Sequence, residues 1–164
     1  MCSADLEGAV GAEFTSPAEA SALLRQARAL ARADTAGLQL MAGKQLALLS
    51  PDSADAGAVE FIEAAKALGA HVSFVQAGLD ASSTPAQVDA TARMLGQLYD
   101  AVECQQLPVD LVRRIARVSG VPVFAGLATP AHPTARLVAA LEGDAPAQVK
   151  RRSILQAALL VSVS

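Results

Sequence analysis

Four short, mostly apolar runs, at 44–50, 71–76, 100–105 and 121–126, alternate with segments whose apolar residues recur every three or four positions. That alternation limits the possible folds more than any other feature of the chain. Short apolar runs of this kind are what strands buried on both faces look like. Between them, Val59, Ile62, Ala65 and Leu68, then Val88, Ala92, Leu95 and Tyr99, then Leu111, Ile115 and Val118 form the stripes of three helices. Pro85 and Pro108 stand where helices begin, and Gly69 and Gly120 lie just past helix ends. A further helix is predicted from about Ser16, with Ser16 as cap and Pro17 in the first helical position. Strands separated by helices pair in parallel through crossovers, and each face then needs a helical cover. The expectation is an α/β fold, a three-layer αβα sandwich around a four-stranded parallel sheet.

The 164 residues, 52% of them hydrophobic, suffice for one domain with a full core. A net charge of −3 leaves no basic footprint for nucleic acid, and the run Lys150-Arg151-Arg152 stands isolated. The first residues carry acidic groups where a secretory signal would be basic, and the closing "ILQAALLVSVS" is too short to span a bilayer. The expectation is a cytoplasmic protein with no membrane partner. Cys2 and Cys104 cannot build a disulfide framework, and no Cys/His pairs have zinc-ligand spacing, so no metal and no cofactor are expected.

Ligands of such sheets sit beyond the carboxyl ends of the strands, which directs attention to residues 50–57, 76–86, 104–108 and 126–133. The first of these loops runs through Pro51, Asp52, Ser53 and Asp55 into a helix. A helix N-terminus there offers unpaired N–H groups and the positive end of a dipole to an anion. Yet the loop has no Lys or Arg, and its two aspartates would repel one.

"GKQLALLS", "FIEAAKALGAHV", "ATARMLGQLYDAVE" and "VPVFAGLATPAHPTA" together resemble the carbamoyl-phosphate domain of the aspartate and ornithine carbamoyltransferases, nearer the ornithine branch. Gly43 to Leu141 can be laid on that domain without a gap. The tail "VKRRSILQAALLVSVS" resembles the last helix of these enzymes, which packs back on the first domain after a second, amino-acid-binding domain. The resemblance implies a single domain over 1–164, with 1–15 flexible, the C-terminal helix packed back, and a short turn at 143–147 in place of the second domain. It also implies that family members trimerise through this domain.

On that alignment the family's Ser-Thr-Arg-Thr-Arg phosphate loop falls on Ala54, Asp55, Ala56, Gly57 and Ala58, so both arginines are alanine. A second loop, which in the family reaches a neighbouring subunit, falls on Ser83, Thr84, Pro85 and Ala86. The arginine that contacts the carbamoyl group corresponds to Gln105. Of the His-Pro-x-Gln motif, His132 and Pro133 remain, with Ala135 in place of the glutamine. Charge-assisted hydrogen bonds are worth about 1.5–3 kcal/mol each, so two lost arginines weaken phosphate binding by roughly 10²- to 10⁴-fold.

Each remaining polar group has two readings. His132 is either a surviving carbonyl-polarising group or a good helix start. Cys104 is a buried strand thiol, or a nucleophile beside His132. Arg93 is expected in a structural ion pair, Asp52 and Asp55 as helix caps or cation ligands, and Lys150-Arg151-Arg152 as the solvated first turns of the last helix. Helices at 133–142 and 147–163 either pack together or leave an apolar partner site. The expected function is that of an oligomeric binding or structural protein, catalytically inactive alone, with a protein or small-metabolite partner. The alternatives are a weak or altered carbamoyltransferase completed by another chain, and a sensor taking a small metabolite at 53–57.

Overall fold

The structure, a computed structural model, describes residues 16–32, 39–51, 54–129 and 132–163. Cys2, Asp52 and the expected flexible lead at 1–15 lie outside the described residues.

Helix α1 (Pro17–Arg32) begins where Ser16 Oγ accepts from Glu19 N, and buries Leu23, Ala27 and Leu30 along one stripe. Strand β1 (Gln45–Leu49) leads into α2 (Ala56–Ala67), β2 (His71–Val75), α3 (Pro85–Leu98), β3 (Ala101–Cys104), α4 (Val109–Ser119) and β4 (Val123–Ala125). A 3₁₀ helix (Pro133–Ala140) and α5 (Ala147–Val163) complete the order.

The sheet is parallel throughout, in the order β2-β1-β3-β4. The chain therefore moves outward from β1 to β2, then crosses to the other side of β1 for β3. Side chains alternate across the sheet as the strand period requires. Leu46 and Leu48 join the core under α1, α2 and α5, whereas Ala47 and Leu49 join the core under α3 and α4. The three-layer αβα architecture is the one expected.

Helix α3 opens with a capping box: Thr84 Oγ1 accepts from Gln87 N, Gln87 Oε1 accepts from Thr84 N, and Pro85 fills the first turn. Helix α4 closes on Gly120, whose φ of +72° makes the left-handed cap. Helices α3 and α4 approach so closely that a Cβ on Gly96 would lie 2.2 Å from the Ser119 carbonyl oxygen. They are bridged by Arg114, which donates to both carboxylate oxygens of Asp89. The expected ion pair of Arg93 is thus made by Arg114 instead; Arg93 is exposed and acts on Asp89 only through space.

Eight consecutive residues of α5, Ser153–Leu160, are buried, as in a helix enclosed on every side. It packs on α1, α2 and the 3₁₀ helix, so the two C-terminal segments close on each other. The first of them is shorter and tighter than the α-helix expected at 133–142. Its start is drawn in where Thr134 bonds to both His132 and Arg151.

Candidate functional site

The order β2-β1-β3-β4 puts a switch point between β1 and β3, where the connections leave in opposite directions. Two loops diverge there and open a crevice at the carboxyl ends of the strands. Into it project the start of α2, the residues after β3, and the loop after β4.

At the head of α2, Asp55 is the N-cap. Its Oδ2 accepts from Gly57 N at 3.0 Å and Ala58 N at 3.3 Å. A carboxylate of the chain itself thus takes the N–H groups that would otherwise be open to an anion. Gln106 Nε2 donates to the other oxygen, Oδ1, at 3.3 Å. Gln106 has a φ of +58°, a left-handed backbone that non-glycine residues seldom adopt. Of the other positions matched to the phosphate loop, Ala54 and Ala56 are exposed and Ala58 is buried. Ser83 to Ala86, matched to the second loop, form the capped start of α3 and carry no cation.

Gln105 is completely buried, and neither end of its carboxamide makes a well-formed hydrogen bond among the described residues. It packs against the bare face of Gly57: a Cβ there would lie 3.1 Å from both Gln105 Nε2 and Asp55 Oδ2. Glycine is the residue that lets Asp55 and Gln105 share this corner.

Glu103 is a feature that residue matching passed over, although an acid in the middle of the strand run "DAVECQ", three residues after Asp100, was visible. It pairs in register with Leu48 on one side and Phe124 on the other and has no exposed surface. Its Oε1 accepts from Leu127 N and its Oε2 from Ala128 N. Burial pushes its carboxyl up to about 8, against the opposing pull of those two N–H groups. The acid thereby anchors the first turn of the loop after β4.

The far side of that loop is held by Arg151 of α5. One guanidinium nitrogen donates to Thr134 Oγ1 at 2.9 Å; another donates to the Leu127 and Thr129 carbonyls. Arg151 is half-buried, and the charges of Glu103 and Glu60 oppose the effect of burial on it. The expectation of a solvated Lys150-Arg151-Arg152 run is corrected here: all three are half-buried, Arg152 pairs with Glu63 at 2.7 Å, and Arg151 clasps the loop. Sequence spacing could not reveal this, because its partners lie 17 to 24 residues away.

His132 is buried and caps the 3₁₀ helix. Thr134 N donates to His132 Nδ1 at 3.2 Å, the bond that caps the 3₁₀ helix. Thr134 Oγ1 lies 2.9 Å from the same nitrogen, so His132, Thr134 and Arg151 form one connected chain. Ala135 is half-buried in the first turn, its N–H bonded to the His132 carbonyl. Cys104 does not join His132. It points into the core under α3 and α4, on the face of the sheet away from α5, and burial pushes its thiol far above the usual range. That thiol is inert packing. Among the described residues no group of three His, Cys, Asp or Glu side chains could hold a metal, and no helix is long and apolar enough to cross a membrane.

The model of the family described as "Aspartate/ornithine carbamoyltransferase, carbamoyl-P binding domain" matches residues 10–142. A catabolic ornithine carbamoyltransferase of Mycoplasma capricolum subsp. capripneumoniae is 36% identical over 121 residues, covering 73% of this chain and 39% of that protein. The ornithine carbamoyltransferase of Actinobacillus pleuropneumoniae serotype 5b (strain L20) is 36% identical over 117 residues, 70% of this chain and 35% of its own. The chain therefore spans well under half the length of these relatives. Among solved structures, the anabolic ornithine carbamoyltransferase of Campylobacter jejuni subsp. jejuni superposes with a TM-score of 0.63 at 25% identity, covering 78% of this chain and 41% of the other. The ornithine carbamoyltransferase from Pyrococcus furiosus shares the fold, with a TM-score of 0.60 at 23% identity.

Proposed function

The chain belongs to the aspartate/ornithine carbamoyltransferase family through its carbamoyl-phosphate-binding domain, and from that premise we propose that it does not transfer a carbamoyl group by itself and serves as an oligomeric binding or structural protein. The observation that carries this reading is Asp55. Its carboxylate occupies the Gly57 and Ala58 N–H groups, so a phosphate arriving there meets a negative charge and finds those two donors taken. Gln105 adds to the argument, because a neutral carboxamide offers a carbonyl or phosphate oxygen only an N–H dipole, a weaker partner than the full charge of the family's arginine. The link at 143–147 is read as the turn that stands where relatives carry their second domain. It is short enough that α5 returns directly to α1 and α2. Exposed Val59 on α2 and Phe74 on the edge strand β2 support an assembly of copies, a trimer by family resemblance, in the cytoplasm.

Calorimetric titration of the purified protein with carbamoyl phosphate at low salt tests the proposal, since weak electrostatics are then least screened. No heat up to millimolar ligand is expected. Micromolar binding, or carbamoyl transfer by the chain alone, would overturn it. One feature favours a second reading, a weak or altered carbamoyltransferase completed by another chain: the His132-Thr134-Arg151 linkage holds the imidazole in a fixed orientation at the end of the loop after β4. A stable complex with a chain that supplies the missing cations would favour that reading.

A further inference from the structure

A cavity of about 560 Å³ opens at the carboxyl ends of β1 and β2, on the side of Gln106 that faces α3 and α4. It is separate from the loop after β4 and from His132, since none of the described residues of that loop line it. Its apolar walls are Leu49, Val75, Leu79 and Leu107, all packed on the core beneath α3 and α4. Its volume lies within the range of about 300–1,000 Å³ usual for small-molecule sites.

The charge of the lining is one-sided. Among the described residues, Asp80 is the only ionisable one in the wall, and no Lys, Arg or His lines it. Asp80 is fixed by its own turn, with Oδ1 accepting from Ser82 N and Ser82 Oγ. Behind the wall, Gln106 leans on a second carboxylate, Asp55. The left-handed backbone of Gln106 is the kind of strain that tends to persist at ligand sites. Among the described residues of the lining, the one charge an anion would meet is the Asp80 carboxylate. A hydrocarbon body would lie on Leu49, Val75, Leu79 and Leu107, and a cationic head would be drawn to the rim.

We propose that this cavity binds a small amphipathic amine without a carboxylate, its apolar body on those four side chains and its ammonium at Asp80. The inference does not rest on the loss of carbamoyl transfer, because it concerns different residues and is read by a different titration.

The test uses three probes of one shape: 3-phenylpropylamine, 3-phenylpropan-1-ol and 3-phenylpropanoate, titrated at pH 7 into the isotopically labelled full chain while amide shifts are followed. The amine is expected to saturate, with the largest shifts at residues 76–80 and 106–107. It should bind about two- to five-fold more tightly than the alcohol, the contribution of one solvent-exposed charge pair, and the carboxylate should bind more weakly than either. Asp80→Asn should bring amine and alcohol to equal affinity while leaving alcohol binding unchanged. The proposal is overturned if no probe saturates below about 10 mM, the range in which a ten-atom ligand of modest efficiency is expected to bind. Carboxylate binding equal to that of the amine, or shifts centred elsewhere, overturns it as well.

Discussion

Replacing Asp55 separates the two roles assigned to it. Asp55→Ala removes the acceptor for Gly57 N and Ala58 N and the partner of Gln106. Loss of an N-cap to alanine costs about 0.5–2 kcal/mol, and loss of a negative charge at the positive end of a helix adds about 0.3–1 kcal/mol. The sum is about 1–3 kcal/mol. Asp55→Asn keeps a capping oxygen and loses only the charge, so it should cost about 0.3–1 kcal/mol. With a urea slope of about 2 kcal/mol/M, the unfolding midpoint followed by circular dichroism should fall by about 0.5–1.5 M for the alanine variant and at most about 0.5 M for the asparagine variant. The alanine variant also frees the two N–H groups, and an anion should then occupy them. If phosphate binds there at about 10 mM, then about 50 mM inorganic phosphate stabilises the variant by about 1 kcal/mol through mass action. The same addition to the unchanged protein measures the non-specific effect of the salt. Equal stabilisation of the two proteins, or an alanine variant as stable as the original, would refute the view that Asp55 stands in for the anion.

Glu103 should make stability depend on pH in one direction. Its folded value of about 8 lies above the ordinary 4.5, so its contribution is complete below about pH 4.5 and is lost as pH rises towards 8; relative to Glu103→Gln, the original protein should lose on the order of a few kcal/mol across that window, and a pH-independent difference between the two would count against the assignment. Arg151→Met should cost about 1.5–3 kcal/mol, the range for hydrogen bonds to a charged group. It should also speed hydrogen exchange at Leu127 and Ala128 more than in β1; uniform exchange would show that Arg151 does not hold the loop. Gly96→Ala should destabilise by about 1–3 kcal/mol through overpacking against Ser119, despite alanine's better helix propensity. A midpoint at or above that of the original would mean that α3 and α4 can part without cost.

Much of the fold was legible because its signals are local. Apolar runs and stripes of period 3.6 marked the four strands and the helices to within a few residues, and Ser16, Pro85 and Gly120 marked where helices start and stop; the Thr84 capping box came from the structure. Asp55 was legible as a cap because its partners are two and three residues away. The companions of His132 were not. Thr134 is nearby in sequence, but Arg151 reaches it across the length of the 3₁₀ helix and the following turn. Cys104 and His132 seemed neighbours because their loops flank one sheet edge, yet alternation along β3 sends the thiol to the opposite layer.

The sequence by itself determined the kind of fold, the register of apolar positions and the absence of arginines from the matched phosphate loop, since each of these is a property of residues close together in the chain. Only the tertiary structure decided that β1 and β3 lie side by side at a switch point. It also decided that Glu103 is enclosed between Leu48 and Phe124, that Arg151 is a clasp rather than a solvated charge, and that a cavity opens beside Gln106. The physical reason is common to all four. Burial and pairing depend on which distant segments the packing brings together, and for a charged side chain that environment determines whether it is solvated, neutralised or held by hydrogen bonds.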